Sequence, residues 1–197
     1  MVYSHTKENP LDPIKIALAD RDAVVFRVFV QWMYFRTIPG QLGLSRLSTG
    51  DDVSPSFLLW TLGDFLKEDA FKNKIMSRLY DFHSLDVYRH SLDFIELSWA
   101  EVDYCWRHTA PNSKLRIFIV DTLAHHVMFD NYIDIKENSD WYKLFSKHPG
   151  LQLQIIAKIA QSSNHFTTNV TDIPELKKYL EVLKTEDQGE ANETPMP

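Results

Sequence analysis

Three groups of side chains in this 197-residue chain have types and spacings that could do chemistry. His83, Asp86 and His90 stand at offsets of three and seven, so one continuous helix would bring them near a single face. Imidazole with carboxylate suits zinc or iron. A strong zinc signature pairs closely spaced ligands twice, and the second pair is absent here, so a solvated helix end accounts for the three residues more simply. Asp121, His125, His126 and Asp130 form two Asp/His pairs four residues apart. Such a pair can fix a tautomer or hold a metal. Structural histidines or a partly exposed helix face explain it with fewer assumptions. Cys105 and His108 have the spacing of a thiol and a base. Nucleophilic catalysis also needs an orienting group and an oxyanion hole, which no motif supplies. Cys105, the single cysteine, reads best as a small buried hydrophobe. The six glycines form no GxGxxG, P-loop or GxSxG turn. We expect no catalytic residue, metal or cofactor, and no enzyme.

Any such residues must be held by helices. Residues 22–36, DAVVFRVFVQWMYFR, contain eleven apolar side chains in fifteen. A helix apolar nearly all round belongs in a core, and this one is too short for a membrane span of about 20 residues. We expect it to be the central buried helix, stopped by Pro39-Gly40. Residues 14–19, IKIALA, read as a short strand, and residues 41–53 as a loop. Ser54-Pro55 opens a helix to about Lys67. A second helix over 70–82 completes a helical hairpin, and residues 84–97 are helical in part. Ser98 and Glu101 form a capping box for a helix to about His108. Ser113 caps another over 114–127; shorter helices are expected at 141–145 and 151–160. Thr171 or Asp172 caps a last one, with Pro174 near its start, running to about Leu183. Residues 1–13 form a loose arm and 184–197 a disordered tail.

Totals narrow the class. The hydrophobic fraction is 44% and the aromatic fraction 13%, which suits a soluble globular chain with well-built cores or partner-facing surfaces. A net charge of −6 argues against bulk electrostatic binding of nucleic acid. Lys72-Asn73-Lys74 and Lys177-Lys178 read as solvated helix faces. The lone cysteine and the absence of a signal-peptide pattern fit a cytoplasmic or nuclear protein.

Certain residues fall in a familiar order. Val25, Phe26, Trp32, Met33 and Tyr34 follow a short strand and an acidic turn; Leu58, Leu59, Leu62, Asp64, Phe65, Lys72 and Asn73 occupy the following hairpin. Further on come Tyr104, Trp106, Thr109, Pro111, Ser113, Leu115 and Arg116, with Ala110 interrupting the Thr-Pro step. In this order and spacing the chain resembles the second half of a BTB/POZ domain, particularly that of fungal proteins. The resemblance implies a protein-binding adaptor, some members of the family recruiting substrates to cullin-based ubiquitin ligases. It also implies that the family's first strands and hairpin are missing before residue 14, which puts the usual homodimer in doubt.

Together these readings give a mostly α fold: a helical bundle around a central buried helix with at most one or two short strands, an incomplete BTB/POZ-like fold. Its parts would be an arm (1–13), a partial BTB/POZ-like domain (14–83), a helical extension (84–183) and a tail (184–197). The expected function is a protein-interaction module with protein partners, a cullin among them, and no nucleic acid or membrane. The expected contact residues are Phe29, Trp32, Phe35, Phe57, Phe65 and Phe71, on the aromatic side of residues 22–36 and the 54–82 hairpin. The alternatives are a self-contained helical protein with a metal or small-molecule site at its histidines, and a truncated product without activity.

Overall fold

The computed structural model describes residues 22–38, 53–83, 97–129, 133, 135–163 and 174–183. Among them are seven α-helices: α1 (Asp22–Phe35), α2 (Pro55–Leu66), α3 (Asp69–His83), α4 (Trp99–His108), α5 (Lys114–Phe129), α6 (Asp140–Lys147) and α7 (Pro149–Ser163). A single 3-10 turn, Leu176–Tyr179, follows. The chain is thus a mostly α bundle, with no strand among the described residues. The strand expected at 14–19, the loop at 41–52, the partial helix at 84–96, the cap at Thr171 or Asp172 and the tail lie outside the described residues.

Local chemistry sets the helix starts. Ser54 caps α2 with its hydroxyl, and Pro55 sits where a helix needs no N–H. At the other end of α2, Lys67 takes a left-handed φ of 60° and its N–H bonds back to the last carbonyls. Ser98 and Glu101 close the expected capping box at α4. Ser139 caps α6 by accepting from the Tyr142 N–H.

Packing divides the bundle into two groups. In the first, α1 lies on α2, and α2 pairs with α3. Gly63 permits that close pairing, because a Cβ there would stand 3.0 Å from both Phe71 Cδ1 and Lys72 Cγ. In the second, α5 packs on α7, with α4 and α6 completing it. Asp103 of α4 fastens this group at the α6–α7 corner. It accepts from Lys147 and His148, each at 2.8 Å, and pairs with Arg107. Burial opposes the charge on Asp103, but those bonds outweigh it and hold the carboxyl below its ordinary range. Arg116 ties the α4–α5 turn, donating to the carbonyls of Trp106 and Thr109 while lying over the Trp106 ring.

The central helix is α5, not the apolar stretch 22–36. Leu115, Phe118, Ile119, Leu123 and Ala124 are all buried, and so are Asp121, Thr122, His125 and His126. Helix α1 buries one face only, through Val25, Val28, Phe29 and Trp32, and leaves Met33, Tyr34 and Phe35 exposed. Burial depends on how many neighbours a helix meets. A polar residue can be buried where partners satisfy it, and an apolar one stays exposed where none arrives.

The final helix expected over 171–183 is also corrected. Residues 174–183 form only the short 3-10 turn, with extended backbone at Leu180, because the Lys178 and Glu181 backbone groups bond to side chains of α5 and α3.

Among the contacts that join the groups, beside Thr61–Tyr104 and His83–Phe118, two stand out. Glu101 Oε2 accepts from the Ser98 N–H at 2.8 Å, while Oε1 accepts from the Ser54 N–H at 3.1 Å, so one carboxylate serves the first turns of both α4 and α2. The second contact is the 174–183 segment itself, which spans from α5 to α3.

Candidate protein-interaction surface

The six residues expected to meet a partner separate into two kinds. Phe29, Trp32, Phe57 and Phe71 lie in the chain's own core. Phe71 packs against Phe29 with ring centroids 5.0 Å apart and against Trp32 at 4.9 Å. Such aromatic contacts add about 0.5–1.5 kcal/mol each beyond burial. Phe29, Trp32 and Phe71 hold α1 to the α2–α3 hairpin, and all four are correspondingly unavailable to a partner. Phe35 and Phe65 are 70% and 71% exposed. They sit near the same end of the three-helix group, because Trp32 touches Phe71 and Gly63 lies against the Phe71 ring. Tyr34, 78% exposed, and Met33, 44% exposed, stand beside Phe35 in the last turn of α1. The consecutive run Met33-Tyr34-Phe35 thus brings an apolar edge to solvent just before Arg36 breaks the helix with a φ of 54°.

The chemical candidates resolve differently. His83 ends α3, buried, while Asp86 and His90 lie outside the described residues. Burial and the neighbouring His126 push the His83 imidazole down to about 3, so it is neutral at physiological pH. It packs near Phe118, ring centroids 6.0 Å apart. Asp121 receives Lys158 at 2.7 Å, Lys178 and the Tyr179 hydroxyl at 2.9 Å, making it an ion-pair centre. Asp130 lies outside the described residues. Cys105 and His108 do not form a thiol–base pair. The Cys105 thiol is buried 3.6 Å from the Thr109 hydroxyl and is pushed up to about 12, chiefly by burial. His108 instead stacks on Tyr104, with Nδ1 2.8 Å from that residue's carbonyl. Among the described residues no three His, Cys, Asp or Glu side chains gather closely enough to hold a metal ion. Among them also, no helix is long and apolar enough to cross a membrane.

The lysine runs need a further correction. Lys72 is not on a solvated face: it is buried, bonded to Asp69 at 2.9 Å, Asp64 at 3.1 Å and Glu181 at 3.2 Å. Burial opposes its charge, but the three carboxylates outweigh that and raise its pKa above the ordinary lysine value. Lys178 reaches Asp121 while staying exposed, as Lys74 and Lys177 are.

A second site was not foreseen in the sequence. Segment 174–183 lies between α3 and α5 with the Tyr179 ring fully buried, edge-on to Phe118 at 5.3 Å and tilted against Tyr80 at 6.1 Å. Burial and the Asp121 carboxylate raise the Tyr179 phenol well above the ordinary tyrosine range, so its hydroxyl stays a donor. An available signal was a tyrosine flanked by Lys177-Lys178 and Glu181, an aromatic anchor in a charged stretch.

No protein-family model, curated protein or solved structure matches the chain.

Proposed function

We propose that the chain is a helical protein-interaction module that docks its partner through the exposed end of α1 and α2. The observation that carries this is the exposure of Met33, Tyr34 and Phe35 in the last turn of α1 and of Phe65 in the last turn of α2. Large aromatic side chains in a rigid setting are the usual anchors of protein interfaces, since they bury much area at little entropic cost. Phe29, Trp32, Phe57 and Phe71 supply the rigidity beneath them. The resemblance to the second half of a fungal BTB/POZ domain supports an adaptor role and makes a cullin the first partner to try. That resemblance rests on residue order alone.

The test compares the tagged chain with its Phe35→Ser/Phe65→Ser variant in capture experiments and against a purified cullin. Both positions are exposed, so the variant should fold as the parent does. A stoichiometric partner held by the parent and lost by the variant supports the proposal. Equal retention by both refutes this surface. Recovery of chaperones alone by both, from protein that does not melt cooperatively, favours a truncated product without activity.

A further inference from the structure

Helices α3 and α5 meet through His83 and Phe118, and beside that contact the space between them is filled by the chain's own residues 178–181, Lys-Tyr-Leu-Glu. The groove recognises this segment at four points. Asp121 of α5, its side chain only 4% exposed, takes Lys178 and the Tyr179 hydroxyl. Phe118 and Tyr80 enclose the Tyr179 ring. Lys72 of α3 takes the Glu181 carboxylate. Between these, Asn73 reads backbone: its Nδ2 donates to the Glu181 carbonyl at 2.9 Å, and its Oδ1 accepts from the Glu181 N–H at 2.6 Å. Lys114 Nζ adds a bond to the Lys178 carbonyl at 3.1 Å.

Those features belong to peptide recognition. Paired bonds from one side-chain amide to a single residue's N–H and C=O hold extended backbone whatever the side chain, while flanking pockets select residue types. The charges are also polarised: a carboxylate waits at the Lys178 end and a buried ammonium at the Glu181 end. A basic–tyrosine–any–acidic segment therefore fits in one direction only. Leu180, between the anchors, is extended at φ −84°, ψ 146° and is only partly buried, which fits a position of loose selection.

We infer that the groove between α3 and α5 is a peptide-binding site for basic–tyrosine–any–acidic segments, occupied in this chain by Lys178–Glu181 and open to a partner's segment of the same chemistry when that occupant is displaced. This site is separate from the α1–α2 end and does not depend on it.

The experiment uses the full chain and a fluorescently labelled peptide of residues 174–183, followed by anisotropy. In the parent, the tethered segment competes at an effective concentration of roughly millimolar, so the peptide should bind weakly. In Tyr179→Ala the resident segment loses its anchor, and the peptide should bind at least about ten-fold more tightly than to the parent. Adding Asn73→Ala to that variant, or replacing the peptide's tyrosine by alanine, should remove most of the gain. Glu181→Ala, which weakens the occupant at its partly exposed end, provides the same test if Tyr179→Ala does not fold. The inference is overturned if the peptide binds neither variant although either melts cooperatively, if Asn73→Ala leaves its binding unchanged, or if neither variant folds. The last result would make the segment an integral part of the core.

Discussion

Replacing Glu101 by alanine should cost more stability than any other single exposed-to-buried carboxylate deletion at a helix start, because its two oxygens serve two helices. The carboxylate accepts from Ser98 at 2.8 Å and from Ser54, 47 residues away in sequence, at 3.1 Å. Hydrogen bonds to a charged group contribute about 1.5–3 kcal/mol each, and an ordinary N-cap about 1 kcal/mol. Both serine amides are in partly buried residues, so water recovers some of the loss once the carboxylate is gone. The lower end of the range is therefore the better guide, and Glu101→Ala should lose about 3 kcal/mol. For a chain of this size that corresponds to a fall in Tm of roughly 6–12 °C.

Urea unfolding followed by far-ultraviolet circular dichroism measures the change directly. Glu101→Gln keeps one acceptor oxygen but presents an NH2 group to the other amide, so it should lose at least about half as much. Ser98→Ala combined with Glu101→Ala should be less than additive, since both delete parts of one capping box. A loss below about 1 kcal/mol for Glu101→Ala would refute the double-cap account and leave the Ser54 contact without energetic weight.

Acid should destabilise the chain through His83. Its folded value of about 3 lies below the ordinary 6.5, so the unfolded chain binds the proton first. The contribution to stability is full above pH 6.5 and declines as pH falls toward 3, by up to about 1.4 kcal/mol per pH unit. Denaturation midpoints at pH 7.5, 6 and 5 should show that decline, and His83→Leu should flatten it. Phe71→Ala should lose about 3–5 kcal/mol, while Phe35→Ala changes stability by no more than about 0.5 kcal/mol; similar losses in thermal melts would contradict the division between core and surface. Cys105 should resist a disulfide-exchange reagent in the native chain and react within seconds to minutes in denaturant, because burial holds its thiol near 12. Rapid reaction of the native thiol would show that the α4 face opens freely.

Helix starts were legible because they are encoded within a few residues. Ser54-Pro55 and the Ser98–Glu101 box are local hydrogen-bonding arrangements, and the structure forms both. What the sequence hid were relations over long separations. Nothing near Glu101 indicates that its second oxygen reaches Ser54, and nothing near Lys72 indicates that two acids of its own hairpin and Glu181 enclose it. The same limit explains the exchange of centres. Residues 22–36 are more apolar than Lys114–Phe129, yet the latter lies amid α4, α7 and the final segment, and so is buried even at Asp121 and His125. Aromatic content likewise did not separate Phe35 and Phe65, which are exposed, from Phe29 and Phe71, which are buried.

Two of the bridges between the helix groups, Glu101 and the 174–183 segment, differ in how they could let go. Glu101 joins α2 and α4 beside the Thr61–Tyr104 contact at 3.0 Å, so breaking it would disturb helix ends that set both groups in register. Segment 174–183 carries one fully buried side chain, Tyr179; Leu176 and Leu180 pack partly buried against the core, and ion pairs with the Asn73 and Lys114 hydrogen bonds supply the rest. When it leaves, Asp121 keeps Lys158 and Lys72 keeps Asp64 and Asp69, so neither buried charge is stranded. An unpaired buried charge is what makes most such releases prohibitive. The partners retained on α2, α3 and α7 remove that obstacle, and exchange of the resident segment for another can leave the three-helix group α1–α3 and the α5–α7 pair in place.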